Sequence, residues 1–164
     1  MHIENVTVHL TLPDIGGGLL SMLAEAGDAV EKAVSTVKAA TTVTPPAIGQ
    51  PWPGIDGVYA GISRGEGGEP DAHLVLLNAK PERALNWEDA KAWAAGLGDG
   101  TRLPTRFESA LLYAHLQDQF DTSRWHWTGT QCSSRNAWGQ DFDHGSQDDG
   151  GKKSEARARA VRRF

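Results

Sequence analysis

The sequence predicts an α+β domain on three observations: two short β-type runs, then two segments with helix-capping signals, then three strand-like runs divided by turn residues. Val58 to Ile62 and Ala72 to Asn78 are the first runs, and the Gly65-Glu66-Gly67-Gly68-Glu69-Pro70 stretch between them makes a hairpin the economical reading. Asn86 is placed to cap a helix, with Asp89 reaching back, and Ala90, Trp93, Ala94 and Leu97 fall on one face of it. Pro104 and Thr105-Arg106-Phe107-Glu108 announce a second helix. Its capping box lets hydroxyl and carboxylate each satisfy an orphan backbone N–H, and its expected buried face is Phe107, Leu111, Tyr113 and Ala114. Trp125 to Gln131, Ala137 to Phe142 and Ala156 to Phe164 then read as an antiparallel meander joined by turns of Ser, Asn, Gly and Asp. Trp125 and Trp127 share a face, so both are expected in the core with His126 looking outward. Trp138 is open to either reading.

Ahead of this domain the text changes. Residues 1–40 read as a strand followed by a helix. Val6, Val8, Leu10 and Leu12 alternate with Asn5, Thr7, His9 and Thr11, and Pro13 with Gly16-Gly17-Gly18 ends that run. From Leu19, Leu20, Leu23, Gly27, Val30, Val34, Val37 and Thr41 alternate spacings of three and four on an amphipathic helix. The stripe suits a homo-oligomer seam through residues 19–41, and it equally suits packing against its own domain. Residues 41–53 hold Pro45, Pro46, Pro51 and Pro53 and read as an extended spacer, which leaves 54–164 as the main domain.

Composition narrows the function classes. With 164 residues, one soluble domain plus an appendage is expected. Sixteen Lys and Arg against 21 Asp and Glu leave a net charge of -5, which argues against nucleic acid and anionic lipid as partners, because both require a cationic surface. The N-terminal text lacks a basic region and a long apolar run, so neither a signal peptide nor membrane insertion is expected. Cys132 stands alone, which excludes an intrachain disulfide and leaves the redox compartment open.

Four strings occur in order: Leu85-Asn86-Trp87-Glu88-Asp89-Ala90, Arg102-Leu103-Pro104-Thr105 with Glu108, Trp125-His126-Trp127-Thr128-Gly129-Thr130, and Arg159-Ala160-Val161-Arg162-Arg163. Together they resemble the Lcl-type C-terminal domain of phage and bacterial collagen-like adhesins, which is similar to the variable proteins of diversity-generating retroelements. The resemblance covers residues 54–164. It implies a C-type-lectin-like fold, two helices packed on antiparallel sheet, and a non-enzymatic module that recognises a protein or glycan receptor at a virion or cell surface. It also implies that Arg102 to Thr105 is structural. The segment from Arg124 to Gln147 would carry the ligand-facing surface, with Arg124, His126, Gln131, Arg135, Asn136, Trp138, Gln140, Asp141, Asp143 and His144 as candidate contacts. Aromatic, amide and guanidinium groups together give rigid area with adaptable hydrogen bonding. The alternative is a structural or assembly subunit whose head packs on a neighbour.

Other chemistry ranks lower. Asp141 to Gly150 places carboxylates around a glycine, but the twelfth position is Lys152 rather than a bidentate Glu, so a solvated hairpin turn is preferred to a calcium loop. Lys152 to Phe164 carries six cations against Glu155; a final strand whose arginines balance the acidic turn is preferred to a nucleic-acid tail. A formylglycine-generating-type oxidase on this fold would need a cysteine pair where this sequence has Cys132 alone. The histidines show no metal-ligand spacing, so no catalytic residue and no cofactor is expected.

Overall fold

The computed structural model describes residues 44–164; the expected N-terminal strand, the heptad-patterned helix and its oligomer seam lie outside the described residues. The fold is α+β, in the element order β1 (Gly57–Ser63), β2 (Ala72–Leu77), α1 (Trp87–Ala95), α2 (Arg106–Leu116), a 3-10 turn (Gln117–Gln119), β3 (Trp125–Gln131), β4 (Asn136–Asp141), β5 (Gln147–Gly151) and β6 (Val161–Arg163). Two antiparallel three-stranded sheets result, ordered β1-β2-β6 and β3-β4-β5. Among the described residues no helix is long and apolar enough to cross a membrane.

The first sheet is covered on both faces, and β2 shows why. Its residues alternate between two clusters: Val75 and Leu77 join Trp87, Ala90 and Ala94 of α1, while Leu74 and Leu76 join Leu112 and Leu116 of α2. An uninterrupted apolar run is what a strand buried on both faces requires. β1 bulges between Tyr59 and Gly61, where Gly61 holds φ at +113°, a conformation that L side chains rarely adopt.

Both predicted caps are present. The Asn86 side chain accepts from the Asp89 N–H, and Thr105 and Glu108 close the reciprocal box at the start of α2. The buried face of α2 is rotated from the expected one. Glu108, Ser109, Leu112 and Leu116 point inward, whereas Phe107 is 71% exposed and Ala114 is exposed. An ion pair to Arg102 draws Glu108 in and fixes the helix about its axis. On α1, Ala90 and Ala94 are buried as expected, Trp93 is half-buried, and Leu97 lies beyond the helix end, exposed.

The C-terminal segment does not extend the meander. Arg157 bridges to His126 of β3, Ala156 bridges to Leu85, and β6 crosses to pair with β2, so the segment laces the two sheets together. Its arginines do not meet the acidic turn either. Arg157 pairs with Asp121 at 3.2 Å, and Arg163 donates to the Pro70 carbonyl at 3.1 Å with Glu108 at 3.8 Å. Arg159 is buried and donates to the backbone carbonyls of Gln119 and Leu77. With no carboxylate against it, burial lowers the Arg159 pKa to about 10.

The prolines mislead about residues 49–53. Gly49 and Trp52 donate backbone N–H groups to Tyr59 and Gly57, Tyr59 donates back to Gln50, and Pro51 bridges to Val58. Trp52 is 6% exposed and stacks on Phe164 with ring centroids 5.4 Å apart. Proline is tolerated along the outside of an edge strand, where no ladder N–H is needed, so this stretch belongs to the packed domain and not to a spacer.

Candidate functional site

Strand register decides what the second sheet presents. Trp125 pairs with Asp141, Trp127 with Gly139, and Gly139 in turn with Asp148, while Ala137 pairs with Gly150. Cross-strand partners share a face, so Trp125, Trp127, Ala137, Gly139, Asp148 and Gly150 lie on one side of the sheet. One end of that side belongs to the core: Trp127 is 4% exposed and donates its indole N–H to the Leu85 carbonyl, and Ala137 is fully buried. The other end is open. Trp125 is 44% exposed there.

Between the two ends lies a cleft of about 310 Å³, lined by Trp125, Trp127, Gly139, Gly150 and Ala156 together with Asp148, Asp149, Ser154 and Glu155. The indoles pass over strand glycines at distances where an added Cβ would be in ordinary van der Waals contact. A Cβ added at Gly139 would stand 3.4 Å from Cε3 of Trp125, and one at Gly150 would stand 3.5 Å from Cη2 of Trp127. Asp149 accepts from the Asn136 side-chain amide at 2.6 Å, and Asp148 accepts from the Asp149 backbone N–H. Asp149 stands across from Trp138, so its carboxylate belongs to the opposite face, and among the described residues neither Asp148 nor Glu155 forms an ion pair. Beyond Trp125 a second depression continues the groove, lined by Ala84, Ser123, Arg124, Glu155 and Arg157.

The ten residues expected to contact a ligand do not form one patch. His126 is buried rather than outward-facing: it packs edge-on against Phe120 and Phe142, whose stacked rings lie 3.6 Å apart, with Nδ1 3.0 Å from the Arg124 carbonyl. Burial is the main cause that pushes its pKa down to about 4. Gln140 is 1% exposed, donating to the Asp141 and Ser146 carbonyls and accepting from Gln147. Strict alternation assumes one wet face, but here Phe120 and Phe142 cover the opposite face of β3 and the core covers the near one. Trp138 sits half-buried beneath the Arg106 guanidinium, 3.6 Å from its ring centroid.

The remaining seven are at least partly accessible. Arg124 lines the depression beside Trp125, and Gln131 is exposed at the end of β3. Arg135 and Asn136 line a shallow cleft with Lys152 and Lys153. Asp141, Asp143 and His144 form the β4–β5 turn, where the Asp141 carboxylate accepts the backbone N–H groups of Asp143 and His144. Those bonds hold Asp141 below the usual carboxylate range and give the loop the hairpin-turn geometry expected of it. Among the described residues no group of His, Cys, Asp or Glu is arranged to hold a metal ion. Cys132 is exposed, and the histidines nearest in sequence are engaged elsewhere, His126 with the Arg124 carbonyl and His144 with Asp141 and Asp143.

Sequence reasoning missed Trp125, Gly139, Asp148, Asp149, Gly150, Ser154 and Glu155. The usable signal was glycine at strand positions, Gly139 and Gly150, in text otherwise suited to a sheet; a strand glycine marks close approach by another group.

No protein-family model matches the chain, and no curated protein matches it. Among solved structures, the crystal structure of botrocetin, a snake C-type-lectin-like protein, is similar over 63% of this chain and 96% of that chain, at 15% identity and a TM-score of 0.44.

Proposed function

We propose that residues 44–164 are a non-catalytic recognition head that holds a protein or glycan receptor against the cleft between Trp125 and Trp127. The observation that supports this reading is Trp125 itself, a large indole left 44% exposed on the strand that buries Trp127 to 4%. Rigid aromatic area beside polar groups gives binding at little entropic cost, and such residues dominate contact energetics. The finer assignment, a C-type-lectin-like scaffold carried by a phage or prophage adhesin or variable protein, rests on the order of the Asn86-Trp87, Arg102 to Thr105, Trp127 to Thr130 and Arg159 to Arg162 strings. Glycan and peptide arrays probed with the full chain and with Trp125→Ala test it. Binders lost in the variant while its melting temperature holds would support recognition through the cleft; binders indifferent to Trp125 would overturn it.

A second reading, a subunit that packs on a neighbour, has its own observation. Phe107 and Ile62 are 71% and 59% exposed and line one cleft with Leu111. An apolar patch of this kind marks contact surfaces. Under that reading Phe107→Ser abolishes association in sedimentation, whereas Trp125→Ala leaves it unchanged.

A further inference from the structure

We infer that the cleft between Trp125 and Trp127 takes a cationic side chain, a lysine or arginine projecting from a protein partner. This rests on the recognition reading above and names the chemistry of what is recognised. The cleft is walled by two indoles, and the carboxylates that line it without a bond to the opposite face are Asp148 and Glu155, beside Ser154; Asp149 stands across from Trp138 on the other face and accepts from Asn136 there, and no Lys, Arg or His lines the cleft.

Of the basic residues nearby, Lys153 lines a different cleft and Arg124 the adjoining depression, and two others are bonded elsewhere. Lys152 lies over the Trp87 ring at 4.4 Å and donates to the Ser134 carbonyl, and Arg157 pairs with Asp121. Asp148 and Glu155, beside a partly desolvated aromatic wall, have no ion-pair partner among the described residues. A cation stacked on an indole gains from the negative ring face, and the same cation relieves the carboxylates. A neutral sugar would stack on Trp125 as well, but it leaves the charge uncompensated and meets a lining in which acceptors outnumber donors. The volume of about 310 Å³ suits one long side chain better than an extended oligosaccharide. Charge and shape together select the occupant.

The experiment is an NMR titration of the full chain, following the indole N–H resonances, with three capped tripeptides carrying lysine, arginine or glutamine at the centre, and with methyl glucoside and methyl mannoside. The expected result is saturable displacement of the Trp125 resonance by the lysine and arginine peptides. Glutamine should give at least tenfold weaker binding, and raising salt from 50 to 500 mM should weaken the cationic peptides severalfold. Asp148→Asn and Glu155→Gln should each reduce affinity about fivefold, with Trp125→Ala abolishing it and the remaining amide spectrum confirming the fold. Displacement of Trp125 by a glycoside or by the glutamine peptide with no preference for cations overturns the cation assignment while leaving recognition standing. Should none of the probes displace Trp125, and the arrays above also return no Trp125-dependent binder, the cation assignment and the recognition reading both fall.

Discussion

Arg102 grips Glu108 with two N–H groups, Nη1 to Oε2 at 2.6 Å and Nη2 to Oε1 at 2.7 Å. The same carboxylate accepts the Thr105 backbone N–H at 2.8 Å and the Ser63 hydroxyl at 3.2 Å, so one buried side chain joins β1, the connection before α2 and α2 itself. Burial alone would raise the Glu108 pKa; the Arg102 hydrogen bonds and charge, with Thr105 and Ser63, outweigh it and hold the group below the usual range. Glu108→Ala strands the guanidinium and the hydroxyl. The expected loss is about 3 kcal/mol, the low end for breaking a buried pair because Arg102 keeps access to water. Urea denaturation measures it, and Glu108→Gln should recover part through the retained acceptor.

His126 sets the acid behaviour at higher pH. Its pKa in the fold is about 4, below the ordinary 6.5, so between these values the unfolded chain takes up a proton that the folded chain refuses. Stability is therefore full above about pH 6.5 and falls toward pH 4, by at most about 3 kcal/mol. Glu108 adds a separate loss at lower pH, as its depressed carboxylate protonates. His126→Gln should flatten the upper limb of stability against pH and leave the lower limb; an unchanged slope between pH 6.5 and 4.5 would show that His126 is not its source.

Gly145 closes the β4–β5 turn at a φ of +79°, and a Cβ there would stand 2.5 Å from Cε1 of Tyr113. Gly145→Ala combines backbone strain with displacement of that ring, for an expected cost of about 2 kcal/mol. Gly67→Ala, in the β1–β2 connection, shares the positive φ but meets no atom within 4 Å, and should cost about half as much. Thermal melts of the two variants separate strain from clash.

Removing residues 44–53 should cost more than removing a linker would. The fragment 54–164 lacks Trp52, which packs on Tyr59, His73 and Phe164. A loss of about 3 to 5 kcal/mol relative to 44–164 is expected, as for truncating a buried tryptophan. Equal urea midpoints for the two fragments would contradict this.

Local chemistry was legible in the text, and longer-range burial was not. Asn86, Thr105 and Glu108 could be assigned because a cap is satisfied within three residues of itself. The β1–β2 hairpin was legible for the same reason. The rotation of α2 depends on Arg102 reaching Glu108 from outside the helix, and the burial of His126 depends on Phe120 and Phe142 arriving from elsewhere in the chain. Alternation within one strand holds no information about either. The site failed to read out for a related reason: its walls come from β3, its floor from β4 and β5, and its rim from Ser154 and Glu155, so register brings together residues that no single segment displays.

The stacked rings of Trp52 and Phe164 bind the stretch that leads into the domain to the strand that finishes it, both on the first sheet. A mechanical load arriving through residue 44 is therefore borne by that corner and by the β1 edge.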